Sequence, residues 1–336
     1  MSSKTHERAL HRFAVFTAVS TFLLIIAGGL VTSTDSGLAV PDWPLSYGQL
    51  MPPMVGGIFY EHGHRMVATF VGLLTIILAV WLWRNEQRQW VRILGAIALL
   101  AVITQGVLGG ITVLYLLPTW VSTTHATIAQ SFFSLTVFLA IVTSSAWGNA
   151  TPSSARFGWK TRRLAVASAG TVLLQLVLGA LMRHSGSGMA IPDFPLSYSH
   201  WIPPLDAKAL QSLNEYRLVY YDLPPVELSQ IWIHFAHRLG AVLVTVVVLM
   251  NVVHILKHYS DHRLREAALI QGMLVLFQFL LGALTVWTGR GVQIATAHVA
   301  VGALLLATSV ALAAWTYHLL ERPSTETEEA LAAEPA

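Results

Sequence analysis

"GLAVPDWPLSY" occupies residues 37–47 and "GMAIPDFPLSY" occupies 188–198; the two differ only by Leu/Met, Val/Ile and Trp/Phe exchanges. A segment this specific, met twice, means that the chain contains an internal duplication, and the period of a duplication governs the fold more than any local pattern does. The offset between the copies is 151 residues (192 minus 41), and it becomes 173 from the next apolar stretch onward, where His64 matches His237, Gln105 matches Gln278, Gly109 matches Gly282 and His125 matches His298. The difference of 22 residues is an insertion in the second copy, around Asp206–Glu227.

Working outward from these segments, the flanking sequence is apolar. Of 336 residues, 54% are hydrophobic and 11% charged, with a mean hydropathy of +0.60, which is too apolar for a soluble chain of this length. Stretches of the roughly 20 apolar residues needed to cross a hydrocarbon core recur at about 13–31, 59–83, 92–115, 122–146, 163–182, 230–253, 267–287 and 294–317. The expected fold is an all-α membrane protein with eight transmembrane helices. Four spans per copy is an even number, so both copies enter the membrane in the same orientation. They are expected as two tandem four-helix bundles related by a pseudo-two-fold axis along the membrane normal. The expected divisions are an arm (1–12), a first repeat (13–146), a linker (147–162), a second repeat (163–319) and a disordered tail (320–336).

Lys and Arg gather in the arm (Lys4, Arg8, Arg12), in Arg84–Arg92, in Arg156–Arg163, in Lys257–Arg265 and at Arg322. By the positive-inside rule these segments and both termini are cytoplasmic. Topology thus accounts for the pI near 9.3, and no nucleic-acid partner is implied. The loops Thr32–Ile58 and Arg183–Ser229 then lie outside, long enough to cover something. The basic start resembles a signal peptide, but no A-x-A site follows and the first span is full length, so a retained helix is expected. An arm of about twelve residues is too short for a mitochondrial transit peptide, so a bacterial inner membrane is expected. The chain has no cysteine, which excludes disulfides, thiolate metal sites and iron–sulfur ligation.

Small-residue motifs recur near outer helix ends: "IAGGL" at 26–30, "QGVLGG" at 105–110, "QLVLGA" at 175–180 and "QFLLGA" at 278–283. They read as helix packing. Of the fourteen histidines, His6, His11, His254, His258, His262 and His318 sit near the inner face and are expected to be solvated or among lipid headgroups; His184 and His200 lie in an outer loop. His64, His125, His237 and His298 differ from these. Each falls near the outer end of an even-numbered span, at roughly 10 Å depth by the helical rise. A polar group at that depth is costly unless paired or liganded. Two imidazoles per four-helix bundle suit a six-coordinate haem iron, whereas zinc or copper would lack ligands. His64 pairs with His125 and His237 with His298. Arg65 and Arg238 each follow a ligand and can neutralise haem propionates or snorkel to lipid phosphate. The duplicated proline-rich segments suit lids, with Asp42 and Asp193 turning their backbones.

The frame "YEHGHR" at 60–65 recurs as "IHFAHR" at 233–238 with one telling exchange, Glu61 for His234. Three residues before His64, Glu61 shares its helix face. A carboxylate there suits proton transfer or stabilisation of positive charge, or else a salt bridge to Arg65 or a loop group. His62 points to another face and is expected to be incidental.

Taken together, the eight spans in two repeats, "EHGHR", "HFAHR", "TTHATIAQ", "TAHVAVG" and the doubled "PDWPLS" segments resemble the haem A synthase family, over residues 13–318. The resemblance implies an oxidoreductase that converts the C8 methyl of haem O to the formyl group of haem A. It also implies that His64 and His125 ligate haem O or haem A, that His237 and His298 ligate a permanent haem B, and that Glu61 is catalytic. Some members carry an outer-loop cysteine pair; this chain resembles the cysteine-free branch. Haem O synthase, cytochrome c oxidase assembly factors and a second copy are the candidate partners. Two other readings stand beside it: a two-haem b-type cytochrome carrying electrons from quinol, and a haem transporter or assembly chaperone. The "LNEYRLVYYDLPPVEL" stretch of the insertion is open to reading as a docking surface or as a larger lid.

Overall fold

Backbone N–H and C=O groups crossing lipid have no water to bond, so each apolar stretch must close its own hydrogen bonds as a helix. The protein follows this rule throughout, in a computed structural model that describes residues 3–154, 158–203 and 206–321. The first repeat consists of α1 (Ser3–Ser33), α2 (Gly56–Asn85), α3 (Gln89–Leu114) and α4 (Thr119–Val142), followed by the short α5 (Ser145–Gly148). The second consists of α6 (Gly158–His184), α8 (Leu228–His258), α9 (His262–Trp287) and α10 (Val292–Leu319), with α7 (Ala207–Tyr221) inside its long loop. Eight of these are long and apolar enough to span a membrane.

Two boundaries differ from the sequence expectation. α1 begins at Ser3, because the Lys, Glu, Arg, Ala and Leu of the arm are strong helix formers and nothing breaks the run before the span. The fourth span ends at Val142. Thr143 there bonds back to Leu139 O, and Ser144 Oγ accepts the amide of Trp147 at 3.1 Å, so a new helix starts instead of the old one continuing. The tail beyond Glu321 lies outside the described residues.

Each repeat closes on itself. α1 packs on α2, α2 on α3, α3 on α4 and α4 back on α1; α6, α8, α9 and α10 form the same ring. Across the seam α1 meets α10, α6 meets α4, and α4 meets α10. The first helix of each ring therefore touches the fourth of the other, and the two fourth helices meet in the middle. This is the pattern that a two-fold axis between α4 and α10 would generate. Arg183 strengthens the seam at the lid end by donating to Thr32 O and pairing with Asp35.

The core is continuous, from Leu78, Leu82 and Leu139 in one ring to Val248, Leu264 and Leu312 in the other. Between helices polar side chains add bonds worth about 1 kcal/mol each in membranes: Gln271 Nε2 donates to Ser309 Oγ at 2.8 Å and Asn251 Nδ2 to Gln271 Oε1 at 3.3 Å. Three histidines expected to be solvated are instead used in packing. His11 Nδ1 donates to Ala140 O at 3.0 Å, His254 bonds Thr161 Oγ1 at 2.9 Å, and His318 stacks on Trp147 at 3.9 Å. The physical reason is that the inner ends of the helices pack on one another, so polar groups there find protein before water. His258 and His262 are exposed.

Candidate functional site

The two copies of the opening segment fold alike. Asp42 accepts the amides of Tyr47 at 2.7 Å and Gly48 at 2.8 Å, while the Tyr47 hydroxyl donates to Ala39 O at 2.7 Å. In the second copy Asp193 accepts the amides of Tyr198 and Ser199 at 2.7 and 2.8 Å, and the Tyr198 hydroxyl donates to Ala190 O. Both aspartates turn the loop, as their sequence context suggests. The peptide bonds Trp43–Pro44 and Phe194–Pro195 are both cis. Each segment lies over its ring as a lid.

The Gly48 amide, the Tyr47 amide and the Arg65 charge hold the Asp42 carboxyl below its ordinary value of 3.8. A depressed folded pKa gives order that is complete above the ordinary value and is lost as pH falls below it, through the folded value. Acidification below pH 3.8 is therefore expected to loosen the first lid before the helices respond. Trp43 emission, followed against far-ultraviolet circular dichroism, checks this; coincident transitions would refute it.

Beneath each lid an arginine pins it from the helix side. Arg65 Nη1 donates to the carbonyls of Asp42 at 2.8 Å and Leu45 at 2.9 Å. Arg238 donates to Leu196 O at 2.7 Å, Asp193 O at 2.7 Å and Ile191 O at 3.0 Å. Sequence offered propionate or lipid phosphate as partners; pinning the lid is a third use, invisible until the loop folds back. Arg238 keeps one buried donor, Nε, without a protein partner.

Position 61 and its counterpart 234 meet the same group of the lid. Val40 N donates to Glu61 Oε2 at 2.7 Å, and Ile191 N donates to His234 Nδ1 at 3.2 Å. Val40 and Ile191 match in the repeat, so accepting this amide is the shared structural duty. What the first half adds is a charge: Glu61 Oε1 pairs with Arg65 at 2.6 Å. At 4% exposure Glu61 is the one acidic side chain among the described residues that is fully buried.

His62 is not incidental. It is 6% exposed and its Nδ1 bonds Ser46 Oγ of the lid at 2.8 Å. The second copy has Phe235 at this position, packed against the apolar core of its lid. On a helical wheel residue 62 does face away from His64. The lid, however, wraps that side too, which helical periodicity cannot show.

Each of the four deep histidines stands against a glycine of the neighbouring helix. A Cβ added at Gly28 would lie 3.1 Å from His64 Cε1, at Gly109 3.5 Å from His125 Cε1, at Gly179 3.0 Å from His237 Cε1 and at Gly282 3.3 Å from His298 Cε1. The small-residue motifs thus make room for rings as well as for backbones. Four residues earlier a glutamine recurs: Gln105, Gln175 and Gln278 donate to the backbone carbonyls of His125, His237 and His298 at 3.0, 2.8 and 3.0 Å. α1 has Leu24 in that place, so His64 alone lacks this partner. The repeated Q-x-x-x-G was legible in the sequence; its pairing with a histidine was not.

His64 on α2 and His125 on α4 belong to one ring of helices, and His237 on α8 and His298 on α10 to the other. The Nδ1 atoms of His64, His125 and His298 are buried with no partner in the protein. An unsatisfied buried polar atom costs about 1–3 kcal/mol, so these rings fit a ligand that engages them. Among the described residues no group of three or more His, Cys, Asp and Glu side chains could hold a bare metal ion.

The insertion forms α7, capped by Asp206, whose carboxylate accepts the Ala209 amide at 2.7 Å. Its Leu213 packs on Ala190, Ile191 and Tyr198 of the second lid, while Leu218, Val219 and Tyr220 on its other side are exposed.

A family model described as cytochrome oxidase assembly protein, COX15-CtaA, matches residues 11–310. The chain is similar to the haem A synthase of Halalkalibacterium halodurans, 28% identical over 90% of this chain and 95% of that protein. It is also similar to the haem A synthase of Geobacillus kaustophilus, 28% identical over 87% of this chain and 86% of that one. The haem A synthase of Shouchella clausii is 30% identical over 61% of this chain and 69% of its own length.

Proposed function

Because this chain belongs to the COX15-CtaA family of cytochrome oxidase assembly proteins, we propose a division of labour between its two halves. Its activity is that of a haem A synthase, a membrane oxidoreductase that converts haem O to haem A. In our reading the first half takes the haem that is changed, between His64 and His125. The second keeps a haem B, between His237 and His298. The carrying observation is the Glu61 and His234 pair: two equivalent positions accept the same lid amide, and only the first is a buried carboxylate.

The glycine-lined histidine pockets support haem at both sites, as do the unpartnered Nδ1 atoms of His64 and His125 in the first and of His298 in the second. Haem B, when bound, supplies an electron path. His237 and His298 would hold it, and Arg238 Nε, the donor left over after lid pinning, would meet a propionate; Arg65 would do the same in the first half. The lid excludes water over the reacting edge. Glu61 would accept a proton released from the C8 methyl, or steady positive charge that develops there, in a low-dielectric site where such stabilisation is strong. Arg65 orients the carboxylate for this. We place the protein in a bacterial inner membrane with both termini cytoplasmic and the lids outside, supported by the Lys and Arg clusters at the helix ends away from the lids. Haem O synthase, cytochrome c oxidase assembly factors and a second copy are proposed partners.

Pigment extracted from purified variants tests the division. His64→Ala is expected to lose haem O and haem A while keeping haem B. His237→Ala is expected to lose haem B while haem O still binds. Loss of the same haem from both variants would overturn the assignment.

A further inference from the structure

The two lids share a sequence and a set of internal bonds, yet one is covered and the other bare. Tyr47 is 52% exposed and Tyr198 only 5%. The same contrast runs along the segment: Pro41, Trp43 and Leu45 are exposed, whereas Pro192 is buried and Phe194 and Leu196 are half-buried. The cause is α7. Its Leu213, with Val226 and Ile231, forms a small core with Ala190, Ile191 and Tyr198 of the second lid. No cluster of buried apolar residues among the described residues includes any of 37–47.

At the centre of this cover is Arg217, 2% exposed. It donates to Met189 O at 2.7 Å, Ala190 O at 3.0 Å and Pro224 O at 3.0 Å, and reaches the Tyr198 hydroxyl at 3.4 Å. A buried guanidinium is costly unless its donors are satisfied, and carbonyls satisfy these. Asn214 holds the return of the chain by bonding both the amide and the carbonyl of Val226, at 2.9 and 3.0 Å. The second lid is thus clamped from two sides, by Arg238 below and Arg217 above. The first is fastened from below by Arg65, Glu61 and the Ser46–His62 bond, and among the described residues no arginine clamps Leu38, Ala39 and Tyr47, the positions that match those Arg217 holds; Leu38 and Tyr47 are exposed.

The geometry points to α7 as a lock: through Arg217 it keeps the second lid shut over a retained haem, while the first lid, with no such clamp, opens to admit substrate and release product. This rests on the assignment of retained haem B to the second half and of substrate to the first. It gives the insertion a purpose that fits that assignment, since a site that turns over must open and a site that only conducts electrons need not. The lids are built alike, so the difference in mobility must come from what lies on top of them.

Hydrogen exchange on the full-length, haem-loaded protein in lipid nanodiscs tests the lock. Amides of 37–47 are expected to exchange at least about tenfold faster than those of 189–198, because local opening sets the rate. Arg217→Met is expected to bring 189–198 to within about threefold of the first lid and leave 37–47 unchanged. With apomyoglobin as acceptor, release of haem B is expected to rise at least about tenfold in the same variant, since the open population governs escape. The double variant Leu213→Ala, Tyr216→Ala unseats α7 without removing the buried charge; it is expected to act alike and covers the case in which Arg217→Met does not fold. Equal exchange of the two lids in the unaltered protein, or an unchanged second lid in the variants, would overturn the lock. Should the lids behave as expected while the haem freed by Arg217→Met is haem O or haem A, the lock stands and the assignment of the halves falls. Should haem B stay bound although the lids exchange alike, the assignment stands and the lock falls.

Discussion

Glu61→Gln is expected to leave haem bound at both sites while haem A falls at least about hundredfold and haem O accumulates, a loss in the range seen when a positioned acid–base group is removed. The substitution is chosen for what it preserves. Glutamine keeps an oxygen for the Val40 amide, 2.7 Å from Glu61 Oε2, so the lid bond survives. It loses the ion pair with Arg65 and the capacity to take a proton. Glu61→His makes the comparison stricter, because it copies the second half, where His234 Nδ1 accepts the Ile191 amide at 3.2 Å. Both variants should be equally inactive with the first lid in place. Chromatography of extracted haem reads the outcome; a normal haem A content in either variant would remove Glu61 from the chemistry and leave it as a lid fastener.

Gly28→Val and Gly179→Val are expected to cost one haem each, and different ones. Even a Cβ at these positions would stand 3.1 Å from His64 Cε1 and 3.0 Å from His237 Cε1, and valine adds two methyls to a helix position that cannot retreat. Overpacking of this kind costs about 1–3 kcal/mol, which at about 1.4 kcal/mol per tenfold in affinity is a loss of about five- to hundredfold. The first variant should purify with haem B alone. The second should lose haem B and keep haem O, with no haem A formed for want of the electron path. Each variant contains its own control, since the untouched half reports that the protein has folded. Equal loss of both haems in either variant would mean that the pockets are not independent.

Much of this architecture follows from sequence periodicity. The duplicated lid segment and the 173-residue offset set the number and orientation of the helices, because a direct repeat of four spans admits one topology. The shared place of His64, His125, His237 and His298 near one end of their helices follows from spacing along the helix alone. So do the roles of Asp42 and Asp193, since an aspartate in a proline-bounded turn has few other partners than the amides ahead of it. The place of His62 is hidden from the sequence for the converse reason. Its bond to Ser46 crosses 16 residues, and no local rule brings a loop serine to a helix face.

What the sequence by itself determined is therefore the set of candidate ligands and their symmetry: four histidines in two equivalent pairs, and one position where the halves differ in charge. Only the tertiary structure decided what surrounds them. It seats each ring on a glycine of the next helix, puts Glu61 and His234 under one lid amide, and buries Arg217 over one lid and not the other. Residue type and spacing along a helix are properties of the chain. A contact between a loop and the helices it covers depends on packing in three dimensions, where removal from water and the satisfaction of every buried donor select the partner.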